Sequence, residues 1–171
     1  YPKDIILKII QQLGVKGGIG YAYEYGGALF DSMSMEGRLT VCNMSIEGGA
    51  RIGYVNPDEI TFKYIEGREF SPKGAVLDKK VQQWKAMASG PDAMYDNVVD
   101  FNTKDMSPMI TWGINPGQSI GVEETIPRLD ELPDDDRSVA DEAYAHMKLN
   151  PGTAITDVDI NVVFIGSCTN S

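Results

Sequence analysis

The feature that most constrains this chain lies near its carboxyl end, where Ile160-Asn161-Val162-Val163-Phe164-Ile165 runs directly into Gly166-Ser167-Cys168-Thr169-Asn170-Ser171. A short run rich in β-branched residues is typical of a strand buried in a parallel sheet. Open α/β sheets place their ligands in loops beyond the carboxyl ends of such strands, and here the loop is small, polar and opened by glycine. Cys168 is therefore the sharpest candidate for chemistry. Nearby backbone N–H groups and the Ser167, Thr169 and Asn170 side chains favour the thiolate, the form that ligates metal or attacks as a nucleophile. A buried structural cysteine is the competing reading.

Upstream, the pattern alternates between helical and extended periods. Ile5, Ile6, Ile9, Ile10 and Leu13 recur at helical spacing and predict a helix over 2–13, with Pro2 and Asp4 suited to its entry and Gly14, Gly17, Gly18 and Gly20 to its end. A strand is expected over 19–25, after which Gly26 and Gly27 turn the chain toward a second helical stretch, the alternation of an α/β fold. Over 35–47 a helical wheel separates an apolar stripe of Met35, Leu39, Cys42 and Ile46 from a polar stripe of Glu36, Thr40, Asn43 and Glu47. Asn56-Pro57-Asp58-Glu59 reads as an N-cap, a proline at the first helical position and acids in the first turn, opening a helix to Ile65. A further helix is expected over 76–87, short strands over 97–101 and 109–112, and a helix over 139–147 capped by Ser138 with Asp141. The acidic, proline-bearing stretch 129–137 reads as a solvated connection. It divides an α/β subdomain over 1–128 from the start of a second over 138–171.

Composition excludes several classes of function. A formal net charge of −10 lacks the basic surface that a nucleic-acid partner requires, and an anionic substrate would need a local positive centre such as a metal or a few arginines. No apolar run approaches the ~18 residues of a membrane span, and no signal segment opens the chain, so a soluble cytoplasmic protein is expected. Cys42 and Cys168 stand far apart without C-x-x-C spacing, so they build neither a disulfide framework nor a complete metal site, and other ligands would come from elsewhere. A chain that begins at Tyr1 and stops just after a motif-like loop reads as a fragment of a larger protein.

Among other candidates, Asn43 and Glu47 at i,i+4 direct an amide and a carboxylate into one space, where the carboxylate could shuttle protons beside a bound water. A merely solvated face is the alternative, and Cys42, on the apolar stripe, reads as core. His146 suits a helix end, where an imidazolium complements the dipole. Gly17-Gly18-Ile19-Gly20 lacks the G-K-[ST] of a phosphate loop, and Trp112-Gly113-Ile114-Asn115-Pro116-Gly117 reads as a tight connection rather than a ligand-facing turn.

Three stretches, 34–47 (Ser-Met-Glu-Gly-Arg-Leu-Thr-Val-Cys-Asn-Met-Ser-Ile-Glu), 111–118 (Thr-Trp-Gly-Ile-Asn-Pro-Gly-Gln) and 163–171 (Val-Phe-Ile-Gly-Ser-Cys-Thr-Asn-Ser), resemble the aconitase superfamily. Ile46 and Arg51 bring the resemblance closer to its isopropylmalate isomerase branch than to aconitase itself. The resemblance implies a three-layer α/β/α iron-sulfur domain, of which this chain covers one subdomain and the start of the next. It implies that Cys168 is one of three cysteine ligands of a [4Fe-4S] cluster whose fourth iron stays open and acts as a Lewis acid on a 2-hydroxy diacid. The implied reaction is a hydro-lyase isomerisation of 2-isopropylmalate and 3-isopropylmalate through isopropylmaleate, a step of leucine biosynthesis. Asn43 matches the family asparagine beside the cluster and Glu47 the glutamate near the reacting hydroxyl. The C-x-x-C pair of the remaining ligands, the substrate-binding arginines and the His/Asp residues of the family's first domain are absent from this sequence. The family's serine base sits on a swivelling domain or small partner subunit, so this chain alone is expected neither to hold an intact cluster nor to turn over substrate. A homoaconitase or a methylmalate-type dehydratase would show the same loop. More distant alternatives are an RNA-binding relative of aconitase and a noncatalytic α/β module.

Overall fold

Helix α1 (Pro2–Leu13) opens with proline in its first turn and buries Ile6, Leu7, Ile9 and Ile10 along one face, as the spacing predicts. Strand β1 (Ala22–Tyr25) follows, then a one-turn helix α2 (Ala28–Asp31), helix α3 (Met35–Met44) and strand β2 (Ile52–Val55). β1 and β2 pair in parallel, with Tyr23 opposite Gly53 and Tyr25 opposite Val55, so α3 is the crossover of a β-α-β unit. Strand periodicity sends Tyr25 toward the helices, where it stacks on Phe30 with ring centroids 5.2 Å apart. A first core gathers Ile6, Ile9, Ile10, Tyr25, Phe30, Met33 and Val41. Burial of each aliphatic side chain there contributes roughly 1.5–3 kcal/mol before the entropy of ordering is charged against it. β2 approaches α3 closely because Gly53 has no side chain: a methyl group in its place would sit 2.0 Å from Ser45 Oγ.

This computed structural model describes residues 1–166. Helices α4 (Glu59–Ile65) and α5 (Ala75–Lys85) extend from β2, and their only aromatic stack joins Phe62 to Trp84 among the described residues. The antiparallel pair β3 (Met109–Thr111) and β4 (Ser119–Gly121) then packs with helix α6 (Asp134–Met147) around a second core of Trp112, Ile120, Ile126, Ala140, Ala143 and Tyr144. Leu129 and Leu132 join that core, so it draws on both sides of the acidic stretch 129–137. Helix α1 ties the two cores together: Gln11 Nε2 donates to the Ser119 carbonyl at 2.5 Å, and Asp4 Oδ1 accepts from Met109 N–H at 2.8 Å.

The mixed α/β architecture agrees with the sequence pattern, but several local expectations need correction. Helix α6 starts at Asp134 rather than Val139, and Asp134, Asp135 and Asp136 form its first turn. Acids are favourable there because the helix amino end carries partial positive charge. Helix α4 is capped by Asp58, whose carboxylate accepts from Thr61 N–H at 3.1 Å, and not by Asn56. Neither 97–101 nor 160–165 is a strand. In the latter, Val162, Phe164 and Ile165 are 84%, 89% and 91% exposed. β-Branched residues confer propensity, but a strand exists only where a neighbour completes its ladder, and no described residue pairs with this run.

Candidate active site

Helix α3 begins at Ser34, whose hydroxyl accepts from Gly37 N–H at 3.3 Å. Its buried face lies beside the expected apolar stripe: Glu36, Asn43 and Glu47 are exposed as expected, but Met35 and Cys42 are only half-buried. The buried positions are Gly37, Arg38, Val41 and, just past the helix, Ser45, whereas Leu39 and Ile46 are 42% and 66% exposed. Arg38 is buried with its two terminal nitrogens paired: Nη1 and Nη2 donate to Asp58 Oδ1 and Oδ2 at 2.7 and 2.6 Å, and Nη2 also to the Phe30 carbonyl at 2.9 Å, while Nε is buried without a partner among the described residues. The guanidinium beside Asp58 holds that carboxyl below the usual carboxylate range. Ser45 Oγ donates to the Val41 carbonyl at 3.0 Å and lies 2.7 Å from the Tyr25 hydroxyl, and burial pushes Tyr25 up to about 12. Buried polar groups that find partners are tolerated, and these two fix α3 against α4 and β1.

Asn43 and Glu47 are both exposed on the opposite side. The α-helix stops at Met44, and Glu47 lies in a tighter turn in which Glu47, Gly48 and Gly49 N–H groups donate to the Met44, Ser45 and Ile46 carbonyls at 3.2, 3.2 and 2.9 Å. The i,i+4 alignment expected of a regular helix is therefore wound further round, although both groups still face solvent. Neither makes a side-chain hydrogen bond or ion pair among the described residues. The turn is backed by the glycine loop: Gly18 N–H donates to the Gly48 carbonyl at 2.8 Å, and a methyl group on Gly18 would lie 2.4 Å from Ala50 N. Gly17 and Gly18 thus permit close backbone packing, and Gly20 supplies a φ of +87°. Gly49 has φ +89°, and Val15, just past α1, lies beside both Gly49 and Gly117. Within the latter, Asn115 Oδ1 accepts from Gly117 N–H at 3.0 Å and Gln118 Oε1 from Ile114 N–H at 2.7 Å, the self-contained tight connection that was expected.

Residues 1–171 match the aconitase family (aconitate hydratase) model along their full length. The chain belongs to the aconitase family. Among its relatives, the 3-isopropylmalate dehydratase large subunit of Synechococcus sp. (strain JA-3-3Ab) is 60% identical over 170 residues, covering 99% of this chain and 36% of that protein. The same subunit of Synechocystis sp. (strain ATCC 27184 / PCC 6803 / Kazusa) is 59% identical over 170 residues, again 99% and 36%. That of Thermus thermophilus is 58% identical over 171 residues, 100% of this chain and 36% of the relative. This aconitase-family chain thus spans about a third of the length of the relatives it matches.

The family's iron-sulfur chemistry finds no receptor within residues 1–166. No group of three or more His, Cys, Asp or Glu side chains there could hold a metal. Cys42 is half-buried against the first core, and burial pushes its thiol up, away from the thiolate a metal needs. Cys168, with Ser167, Thr169 and Asn170, lies outside the described residues. His146 is exposed in the last turn of α6, the position expected for it.

Sequence reading missed Glu24. Its carboxylate accepts from Tyr54, Asn56, Ser89 and Tyr95 at 2.5, 2.8, 2.8 and 2.9 Å. Burial would raise it, but the hydrogen bonds from Tyr54, Ser89, Tyr95 and Asn56 outweigh burial and hold it below its ordinary 4.5. An acid alternating with tyrosines in a strand was the available signal, but its partners come from two distant segments, 54–56 and 89–95. A cavity of about 470 Å³ beside it, between α1, β1 and the segment 95–103, contains neither Asn43 nor Glu47.

Proposed function

We infer that this chain is the part of a 3-isopropylmalate dehydratase large subunit that carries Asn43 and Glu47 to the substrate, in an enzyme interconverting 2-isopropylmalate and 3-isopropylmalate. The observation that carries this reading is identity of 58–60% along essentially the whole chain to subunits of that name. The geometry is compatible with it, since Asn43 and Glu47 are both exposed, on the side of α3 away from the buried Arg38–Asp58 pair. In this reading Glu47 handles the proton of the hydroxyl that leaves and returns as water, and Asn43 orients the substrate by hydrogen bonding. A [4Fe-4S] cluster is the cofactor, with Cys168 as one cysteine ligand and the others in polypeptide beyond this chain. A small subunit bearing a swivelling domain is the partner that completes the site, and leucine biosynthesis in the cytoplasm is the setting. No helix is long and apolar enough to cross a membrane among the described residues.

The test uses the complete large subunit, reconstituted anaerobically with iron and sulfide and joined to its small subunit. It should isomerise 2-isopropylmalate. Cys168→Ser should abolish the cluster's visible absorbance, and Glu47→Gln should lower kcat by roughly 10²–10⁴-fold with the cluster retained. A complete enzyme that holds a cluster but leaves isopropylmalate unchanged would remove the substrate assignment. Cluster absorbance undiminished in Cys168→Ser would remove the ligand assignment.

A further inference from the structure

Helix α3 is turned aside at Ser45. In a continuing α-helix the Val41 carbonyl would accept from the N–H four residues on, that of Ser45. Here the Ser45 hydroxyl takes that carbonyl at 3.0 Å, and the Ser45 N–H donates instead to the Cys42 carbonyl at 3.3 Å. A serine that bonds back to the carbonyl four residues before it competes with the helical ladder and bends the chain. The tighter spacing then persists, with the Glu47 and Gly48 N–H groups on the Met44 and Ser45 carbonyls at 3.2 Å each. The Ser45 carbonyl also accepts from Ala50 N–H at 3.1 Å, so the turn that carries Glu47 closes on this one residue. Ser45 is itself held in place: it is 0% exposed, lies against Gly53 of β2, and has its Oγ 2.7 Å from the Tyr25 hydroxyl of β1. With its single proton on the Val41 carbonyl, Ser45 accepts from Tyr25, so the order of donation runs from Tyr25 through Ser45 to Val41.

We propose that Ser45, held by Tyr25, is a positioning residue for Glu47. The inference rests on the proposed role of Glu47 as the carboxylate that handles the proton of the reacting hydroxyl. A turn with i→i−3 bonds advances roughly 120° per residue against roughly 100° in an α-helix, so over 45–47 the Glu47 side chain is carried roughly 60° about the axis from where a continuing helix would place it. The direction of the carboxylate is thus set by a buried hydroxyl two residues before it. A carboxylate transfers a proton only within hydrogen-bond reach, and a displacement of about 1 Å costs on the order of 10²-fold in rate. Without the hydroxyl, the Val41 carbonyl is open to the N–H of residue 45, and α-helical winding extends into the turn.

Ser45→Ala, made in the complete, cluster-loaded two-subunit enzyme and again in its Glu47→Gln form, tests the assignment. In the parent background we expect kcat to fall roughly 10–100-fold while KM for 3-isopropylmalate stays within about twofold. In the Glu47→Gln background the same change should cost less than about twofold, because a residue that acts only by placing the carboxylate then has nothing left to place. Tyr25→Phe keeps the bond from Ser45 to Val41 and removes only its support, so its kcat should fall less than that of Ser45→Ala and the fall should likewise vanish with Glu47→Gln. It carries the test if Ser45→Ala does not fold. An unchanged kcat in the folded variants, a loss expressed mainly in KM, or a loss as large beside Glu47→Gln as beside the parent would overturn the assignment and leave Ser45 a structural residue of the turn. Glu47→Gln that turned over isopropylmalate at the parent rate would instead strike the role on which this inference depends.

Discussion

Arg38 concentrates the residue-scale lesson. Nothing in a wheel drawn over 35–47 marks it as a core residue, because its burial depends on Asp58, twenty positions away, and on a carbonyl from α2. Removing the partner tests the pairing. Asp58→Ala leaves a cation 2% exposed without its carboxylate and also strips the cap of α4. The expected destabilisation is about 3 kcal/mol, the low end of the roughly 3–5 kcal/mol typical of broken buried pairs, because Asp58 is partly exposed and water can enter in its place. Urea titration of the 171-residue chain measures it, and an unchanged midpoint would mean that Arg38 is satisfied without Asp58. Asn43 and Glu47, by contrast, were legible as a polar pair, because exposure of a short polar stripe is a local property.

At the scale of elements, Glu24 is the point where β1, β2 and the segment 89–95 meet. The sequence announces α1 and the strand that becomes β1, since both follow from apolar periodicity and glycine punctuation, but it gave no sign of β2 at Ile52–Val55 or of its parallel pairing. It cannot announce that Ser89 and Tyr95 return to β1, because that contact spans 65 and 71 positions and has no local signature. Glu24→Gln should weaken this staple and speed amide exchange over 86–96 while α1 stays protected, a contrast that hydrogen-exchange mass spectrometry reads directly. Exchange in 86–96 equal to that of the parent chain would show that the segment is held by other contacts. The pH dependence has a fixed sign. Glu24 and Asp58 are both held below their ordinary values of 4.5 and 3.8, so their contribution is complete above those values and is lost as pH falls through the lower folded-state values. Acid titration of the parent should therefore show a loss of stability at and below the ordinary carboxylate range that is reduced in Glu24→Gln. An identical acid profile in the variant would remove Glu24 from that account.

For the molecule as a whole, α1 forms part of the first core and is hydrogen-bonded to the strands of the second, and the second core crosses the stretch that composition marks as a connection. Trp112, 3% exposed and stacked on Tyr144 at 5.1 Å, is its anchor. Trp112→Ala should cost on the order of 3–5 kcal/mol, and because Gln11 and Asp4 bridge to β4 and β3, the loss should appear in a single unfolding transition that includes α1. Far-ultraviolet circular dichroism and tyrosine fluorescence that lost coincidence in the parent chain would instead show the cores to be independent. The run 160–165, apolar yet exposed, is the clearest case of propensity without a partner. What the sequence by itself determined is what short-range physics decides: helix α1, the strand that follows it, the exposure of Asn43 and Glu47 and the family motifs around them. The tertiary structure alone decided which face of α3 is buried, where the second core closes and which apolar run stays unpaired. Those outcomes depend on partners far along the chain, and burial is settled by whichever surface arrives to cover a residue, not by the residue's own hydrophobicity.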